Sequence, residues 1–212
     1  MNKRAIGIIA AVIIVVGGFI WLTQPKPESK STAAASNHVI GNGTKKVTLI
    51  EYGDYQCSAC AAYMPIVTSV VEKYKDEIFF QYRNFPLEAI HQNARAASRA
   101  AEAAALQGKF WEMNASLFQN QKSWESTGDP LTLFTSYAKQ IGITDTAKFT
   151  TDYKSTKVND IINADLREGQ KFNISGTPTF ILNGKKITEN PRDQASFEKL
   201  IVNAIAAQAT KQ

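Results

Sequence analysis

The chain has 212 residues, 44% hydrophobic and 20% charged, which suits one globular domain of roughly 170 residues behind a separate N-terminal segment. Its net charge is +5, but Lys3 and Arg4 precede the globular part, and without them 22 basic residues face 19 acidic ones with no basic run. Nucleic-acid binding is therefore disfavoured, and a domain of this size needs no disulfide staple to bury a sufficient core.

The first residues set the topology. A short basic stretch, Asn2-Lys3-Arg4, precedes an uncharged and mostly apolar run over residues 5–22. Eighteen residues of helix span about 27 Å, close to the roughly 30 Å of a bilayer core. A cleaved signal has a shorter apolar run followed closely by small residues, whereas Ala33-Ala34-Ala35 lies well past the end of this one. The pattern predicts a retained single-pass anchor, with the basic N-terminus inside, Trp21 at the interface and the rest of the chain outside. Residues 23–37 contain Pro25, Pro27, serines, lysines and alanines and read as a linker, leaving 38–212 as the folded domain.

From Lys46 the pattern becomes that of a strand, Val47-Thr48-Leu49-Ile50-Glu51-Tyr52. Gly53 to Gln56 make a turn, and Cys57 opens a helix in which Tyr63, Val67, Val70 and Tyr74 recur at helical spacing. A second strand over 78–83 completes a βαβ unit, which implies parallel pairing. Between about 87 and 174 the signals are helical: an alanine-rich stretch over 91–106 beginning at His91, Asp129-Pro130 as a cap with proline at the first helical position, Thr144-Asp145 as another cap, and a stripe of Val158, Ile161, Ile162 and Leu166. Phe110, Trp111, Leu117 and Phe118 are core residues by their helical spacing, and a peptide groove is the alternative for them. Thr179-Phe180-Ile181-Leu182 is a strand, Asn183-Gly184 a two-residue hairpin turn into Lys185-Lys186-Ile187, and Phe197, Leu200, Ile201, Ala204 and Ile205 mark a last amphipathic helix.

Cys57 and Cys60 are the only cysteines, arranged C-x-x-C where a strand turns into a helix. As a structural disulfide the pair would close so short a loop that it stabilises by only about 2 kcal/mol. As a metal site it lacks partners, since only His38 and His91 are available and neither has a characteristic spacing. A redox pair beside a βαβ unit is the remaining reading. A sulfur at a helix N-terminus faces unpaired N–H groups and the positive end of the helix dipole, which favour thiolate. Cys57 is thus the expected nucleophile and Cys60, one turn on, the resolving thiol.

Residues 46–85 and 174–205 resemble the thioredoxin superfamily, and the helical block between them resembles its DsbA-like branch. The resemblance rests on Glu51 to Cys60 (EYGDYQCSAC), on Pro65 inside the active-site helix and on Gly176-Thr177-Pro178-Thr179-Phe180. It implies an α/β thioredoxin-like fold with an inserted helical subdomain, which here follows the one N-terminal transmembrane helix predicted from residues 5–22. It further implies a cis Thr177–Pro178 peptide that receives the substrate backbone, and Glu51 as an acid beneath the active site assisting proton transfer to Cys60, an ordinary charged strand residue being the alternative for Glu51. Ser58-Ala59 between the cysteines is neither the Gly-Pro of reductive thioredoxins nor the Pro-His of the strongest oxidases.

The expected activity is extracytoplasmic disulfide formation in exported, cysteine-containing polypeptides. No cofactor is needed beyond the cysteines, a membrane partner reoxidises the pair, and the chain acts as a monomer. An extracytoplasmic reductase or isomerase is the near alternative, and a membrane-tethered binding module on the same fold the distant one.

Overall fold

The computed structural model describes residues 32–210, so the predicted anchor at 5–22 and most of the linker lie outside the described residues. Among the described residues no helix is long and apolar enough to cross a membrane. Five strands form one sheet in the order β1-β3-β2-β4-β5, with β1 at His38–Ile40, β2 at Val47–Gly53, β3 at Ile78–Asn84, β4 at Thr179–Leu182 and β5 at Lys185–Lys186. β2 and β3 run parallel, Val47 beside Ile78 through to Gly53 beside Asn84, while β4 lies antiparallel on the other side of β2. The helix connecting β2 and β3 is α1, Ser58–Tyr74, so the βαβ unit read from the pattern is present.

Six helices lie between β3 and β4: α2 at Ala94–Ala105, α3 at Phe110–Gln119, α4 at Gln121–Trp124, α5 at Leu131–Gln140, α6 at Thr146–Lys154 and α7 at Thr156–Gln170. The last helix, α8, covers Gln194–Ala209. On one face of the sheet, Val67, Val70 and Val71 of α1 and Phe197 and Ile201 of α8 pack with Val47, Leu49, Phe80 and Phe180. On the other face, Leu166 of α7 and Leu87 pack against a smaller cluster of Tyr52, Phe85, Ile174 and Ile181. The inserted helices have their own core around Met113, Leu117, Trp124, Phe134 and Phe149, and this core reaches Tyr55, Cys57 and Cys60. The active-site turn is thus packed between the two halves of the domain. Gly53 closes β2 where Tyr82 crosses it: a Cβ there would lie 2.5 Å from the Tyr82 hydroxyl oxygen.

Local chemistry explains most boundaries. Asp145, Ser155 and Asp193 cap α6, α7 and α8 by accepting from the N–H of Lys148, Val158 and Ser196. Asn183 and Gly184 take the positive φ values, 49° and 78°, that a two-residue hairpin requires. β5 has both lysines exposed at the edge of the sheet.

Several boundaries differ from the sequence pattern, and one strand was absent from it. Asp129 accepts from the Leu131 N–H at 3.1 Å, so Pro130 occupies the cap position and α5 begins one residue later than Asp129-Pro130 suggested. The alanine-rich helix starts at Ala94 rather than His91, because the side chains of His91 and Asn93 are committed elsewhere. β1 has only three residues, too few to show an alternation. Finally, the segment read as a linker to residue 37 is already part of the domain at Ser36, which is 4% exposed and bonded to Asp165. Two hydrogen-bonding groups on one residue outweigh a composition that otherwise resembles coil.

Candidate active site

The turn ahead of α1 carries Cys57 at the N-cap position in extended conformation, so its sulfur sits at the open end of the helix. Both cysteines are free thiols in this structure; Cys57 is half-buried and Cys60 fully buried. Cys57 Sγ lies 3.4 Å from the carbonyl oxygen of Thr177. The Thr177–Pro178 peptide is cis, and Pro178 is buried at the start of β4. The loop 176–178 and the C-x-x-C turn are therefore adjacent, although 120 residues separate them.

The two sulfurs have opposite electrostatics. The Cys57 thiol is lowered to about 5, chiefly because the Cys60 thiol donates to it; the N–H groups of Cys60 and Ala59 add to this, and burial opposes it. At neutral pH such a group is ~99% thiolate. Burial pushes the Cys60 thiol well above its ordinary value, and its bond to Cys57 and the charges of Glu51 and Cys57 push it further. The main-chain N–H of Asp54, 3.5 Å from Cys60 Sγ, works the other way. One sulfur is half-exposed and charged, its neighbour enclosed and protonated.

Glu51 lies on β2 and is 4% exposed. It lines a cavity of about 190 Å³ together with Met64, Val67, Tyr82, Trp111 and Phe118. Of the four residues weighed as groove or core, Trp111 and Phe118 thus line this cavity, while Phe110 and Leu117 are plain core. Burial, and secondarily the charge on Cys57, raises the Glu51 carboxyl to about 8. The folded chain therefore holds a proton here that the unfolded chain releases above its ordinary value of 4.5. Stability from this group is complete below pH 4.5 and is lost as pH rises toward 8. Glu51→Gln removes the loss. In urea titrations of the reduced protein the variant should exceed wild type by about 3 kcal/mol at pH 7 and by little near pH 4.5, with a smaller gain once oxidation has removed the Cys57 charge.

Several residues that hold the turn were not legible as site residues. Asp54 is fully buried; its Oδ1 accepts from the Gln56 N–H at 2.7 Å and its Oδ2 from the Leu87 N–H at 2.8 Å. His91, read as the start of the alanine-rich stretch, places Nδ1 2.8 Å from Asp54 Oδ2. Gln121 of α4 donates to the carbonyls of both Tyr55 and Cys57, and Gln56 bonds the Asn93 N–H and the Glu125 carbonyl. The one available signal was the Asp54-Tyr55-Gln56 sequence, since an Asp that bonds the N–H two residues on is a common turn former. Among the described residues no cluster of His, Cys, Asp and Glu is arranged to hold a metal.

A thioredoxin family profile matches residues 33–203. The chain belongs to the thioredoxin family. Solved structures of DsbA proteins share its fold. A thioredoxin-like oxidoreductase from Silicibacter pomeroyi DSS-3 is 26% identical with a TM-score of 0.65, the alignment covering 79% of this chain and 91% of that one. BdbD from Bacillus subtilis, 23% identical, has the same fold at a TM-score of 0.69, with 82% and 100% covered. A curated relative, the Na(+)/H(+) antiporter NhaA 1 of Mycolicibacterium gilvum, is 33% identical over 209 residues, which is 92% of this thioredoxin-family chain but 33% of that protein. The chain spans about a third of the length of the curated relatives it matches.

Proposed function

We propose that this thioredoxin-family enzyme forms disulfide bonds in cysteine-containing polypeptides exported across the membrane, using Cys57 and Cys60 as its redox pair. The observation that carries the reading is the Cys57 sulfur: reachable, at a helix mouth, and lowered to about 5. A reduced form stabilised in this way makes the corresponding disulfide a good oxidant. No histidine stands between the cysteines, but Cys60 and two main-chain N–H groups supply the stabilisation from closer by.

In the oxidising direction a client thiolate attacks Cys57 of the Cys57–Cys60 disulfide. The S–S bond breaks, the electron pair goes to Cys60, and a mixed disulfide joins Cys57 to the client. A second client thiolate then attacks the client sulfur, forming the client disulfide and releasing Cys57 as thiolate. Two electrons stay on the enzyme and pass to a membrane partner that reoxidises it. In the reverse direction Cys57 is the attacking thiolate and Cys60 the resolving thiol. Glu51, buried near Cys60 and raised enough to exchange a proton near neutrality, supplies and removes the Cys60 proton. Thr177 and Pro178, beside Cys57, receive the client backbone. The anchor at residues 5–22 holds the monomeric domain on the extracytoplasmic side, no organic cofactor is required, and nucleic acid plays no part.

Equilibration of the full chain against glutathione tests direction. Known pairs run from about −270 mV for reducing members to about −120 mV for oxidising ones. A value toward the oxidising end is expected. One near −270 mV would make the protein a reductase and sink the oxidase reading.

A further inference from the structure

Each of the two histidines meets a buried carboxylate among the described residues: His38 Nε2 lies 2.8 Å from Glu102 Oε1, and His91 Nδ1 lies 2.8 Å from Asp54 Oδ2. Only the second pair reaches the sulfurs. The Asp54 carbonyl accepts from the Cys57 N–H at 3.1 Å, and the Asp54 N–H points at Cys60 Sγ at 3.5 Å. Its carboxylate meanwhile bonds Gln56 within the turn and Leu87 and His91 beyond β3. Asp54 thus touches both cysteines with its main chain and three separate anchors with its side chain. Its side chain is fully buried, while that of His91 is 21% exposed.

We propose that Asp54 and His91 are positioning residues of the redox pair, their hydrogen bond fixing the turn so that the Asp54 N–H faces Cys60 as that sulfur takes up charge. When a client thiolate attacks Cys57, the S–S bond breaks and the electron pair moves to Cys60 Sγ; the Asp54 N–H is the main-chain donor facing that sulfur. A buried carboxylate short of a donor is costly and relaxes toward water. Without His91, Oδ2 keeps only the Leu87 N–H, the Asp54 side chain is free to swing outward, and the N–H turns away from the sulfur. The pair then favours the disulfide more strongly and exchanges more slowly.

This inference rests on the redox reading above, and two substitutions test it in the purified full chain. His91→Leu keeps bulk and removes the donor; His91→Asn loses bulk and keeps an N–H where Nδ1 stands. The readouts are the equilibrium constant with glutathione, the rate at which reduced glutathione opens the Cys57–Cys60 disulfide, and the urea midpoint of the reduced protein. His91→Leu should shift the equilibrium toward the disulfide about fivefold, or about 20 mV, and slow exchange about tenfold. His91→Asn should stay within twofold of wild type on both. Leu within twofold of wild type, or Asn impaired as much as Leu, overturns the positioning role in favour of simple packing. A redox shift that merely follows the urea midpoints across the variants overturns it too. A wild-type chain that fails to equilibrate with glutathione at all overturns the functional reading itself, a result distinct from either.

Discussion

Cys60→Ser should lose turnover by at least about 10³-fold, because the displacing thiol is then no longer held beside the bond it must break, while adducts accumulate on Cys57. Cys60 is fully buried and Cys57 half-exposed, so a client or glutathione disulfide reaches Cys57 alone. Once the mixed disulfide has formed, the nearest displacing group is the Cys60 sulfur one helical turn inside, and a serine hydroxyl cannot attack a disulfide. The adduct should persist on non-reducing gels and be cleared only by added dithiol. Cys57→Ser should show neither adduct nor turnover. An adduct on Cys60 in the Cys57→Ser chain, or turnover surviving Cys60→Ser, would reverse the assignment of the two roles.

The largest stability loss is expected at Asp165. Asp165 is fully buried and accepts from the Ser36 N–H at 2.8 Å, from the Ser36 hydroxyl, and from the main-chain and side-chain N–H groups of Asn84 at 2.9 and 3.0 Å. The Asn84 amide is shared with Glu102, 2.6 Å away, which also meets His38. Asp165→Ala leaves these donors buried without their acceptor, which should cost about 3–5 kcal/mol in urea unfolding while leaving the glutathione equilibrium unchanged. Burial first, then the charge of Glu102, raises the Asp165 carboxyl above its ordinary value against the pull of its hydrogen bonds. The stability this contributes is complete below the ordinary aspartate range and is lost as pH rises through the raised value. The gap between wild type and Asp165→Ala should therefore narrow with rising pH. A loss below 1 kcal/mol would mean that water replaces the network.

The parts of this molecule written in local pattern were legible before its structure. Cys57-x-x-Cys60 at a strand-to-helix turn, the branched strand before it, the Asn183-Gly184 hairpin and the stripe of Phe197, Ile201 and Ala204 each carry their own signal within a few residues, and each stands where that signal put it. What stayed hidden is written in pairs distant along the chain. Asp54 looked like a turn residue because its bond to Gln56 is local, while its bonds to Leu87 and His91 cross more than thirty positions. Asn93 ends up bonding the carbonyls of Trp124, Glu125 and Thr127, which fixes where α2 begins without any cue in its alanines. Ser36 resembles coil until Asp165 is found 129 residues away. Hydrophobic period reports which face is covered, but it does not report which polar side chains meet beneath that face.

If the protein acts on exported polypeptides as proposed, the short hairpin strand has a bearing on what it must live among. Unfolded clients are extended chains rich in unsatisfied N–H and C=O groups, and a bare strand at the rim of a sheet is a template for them. Here the outermost strand on the β4 side is two residues long and presents Lys185 and Lys186 to solvent. Two ammonium groups on so brief a rim repel further strands, so a passing polypeptide gains little by lying down there. Under the proposed function its encounters are left to the sulfur, where they end in chemistry rather than in aggregation.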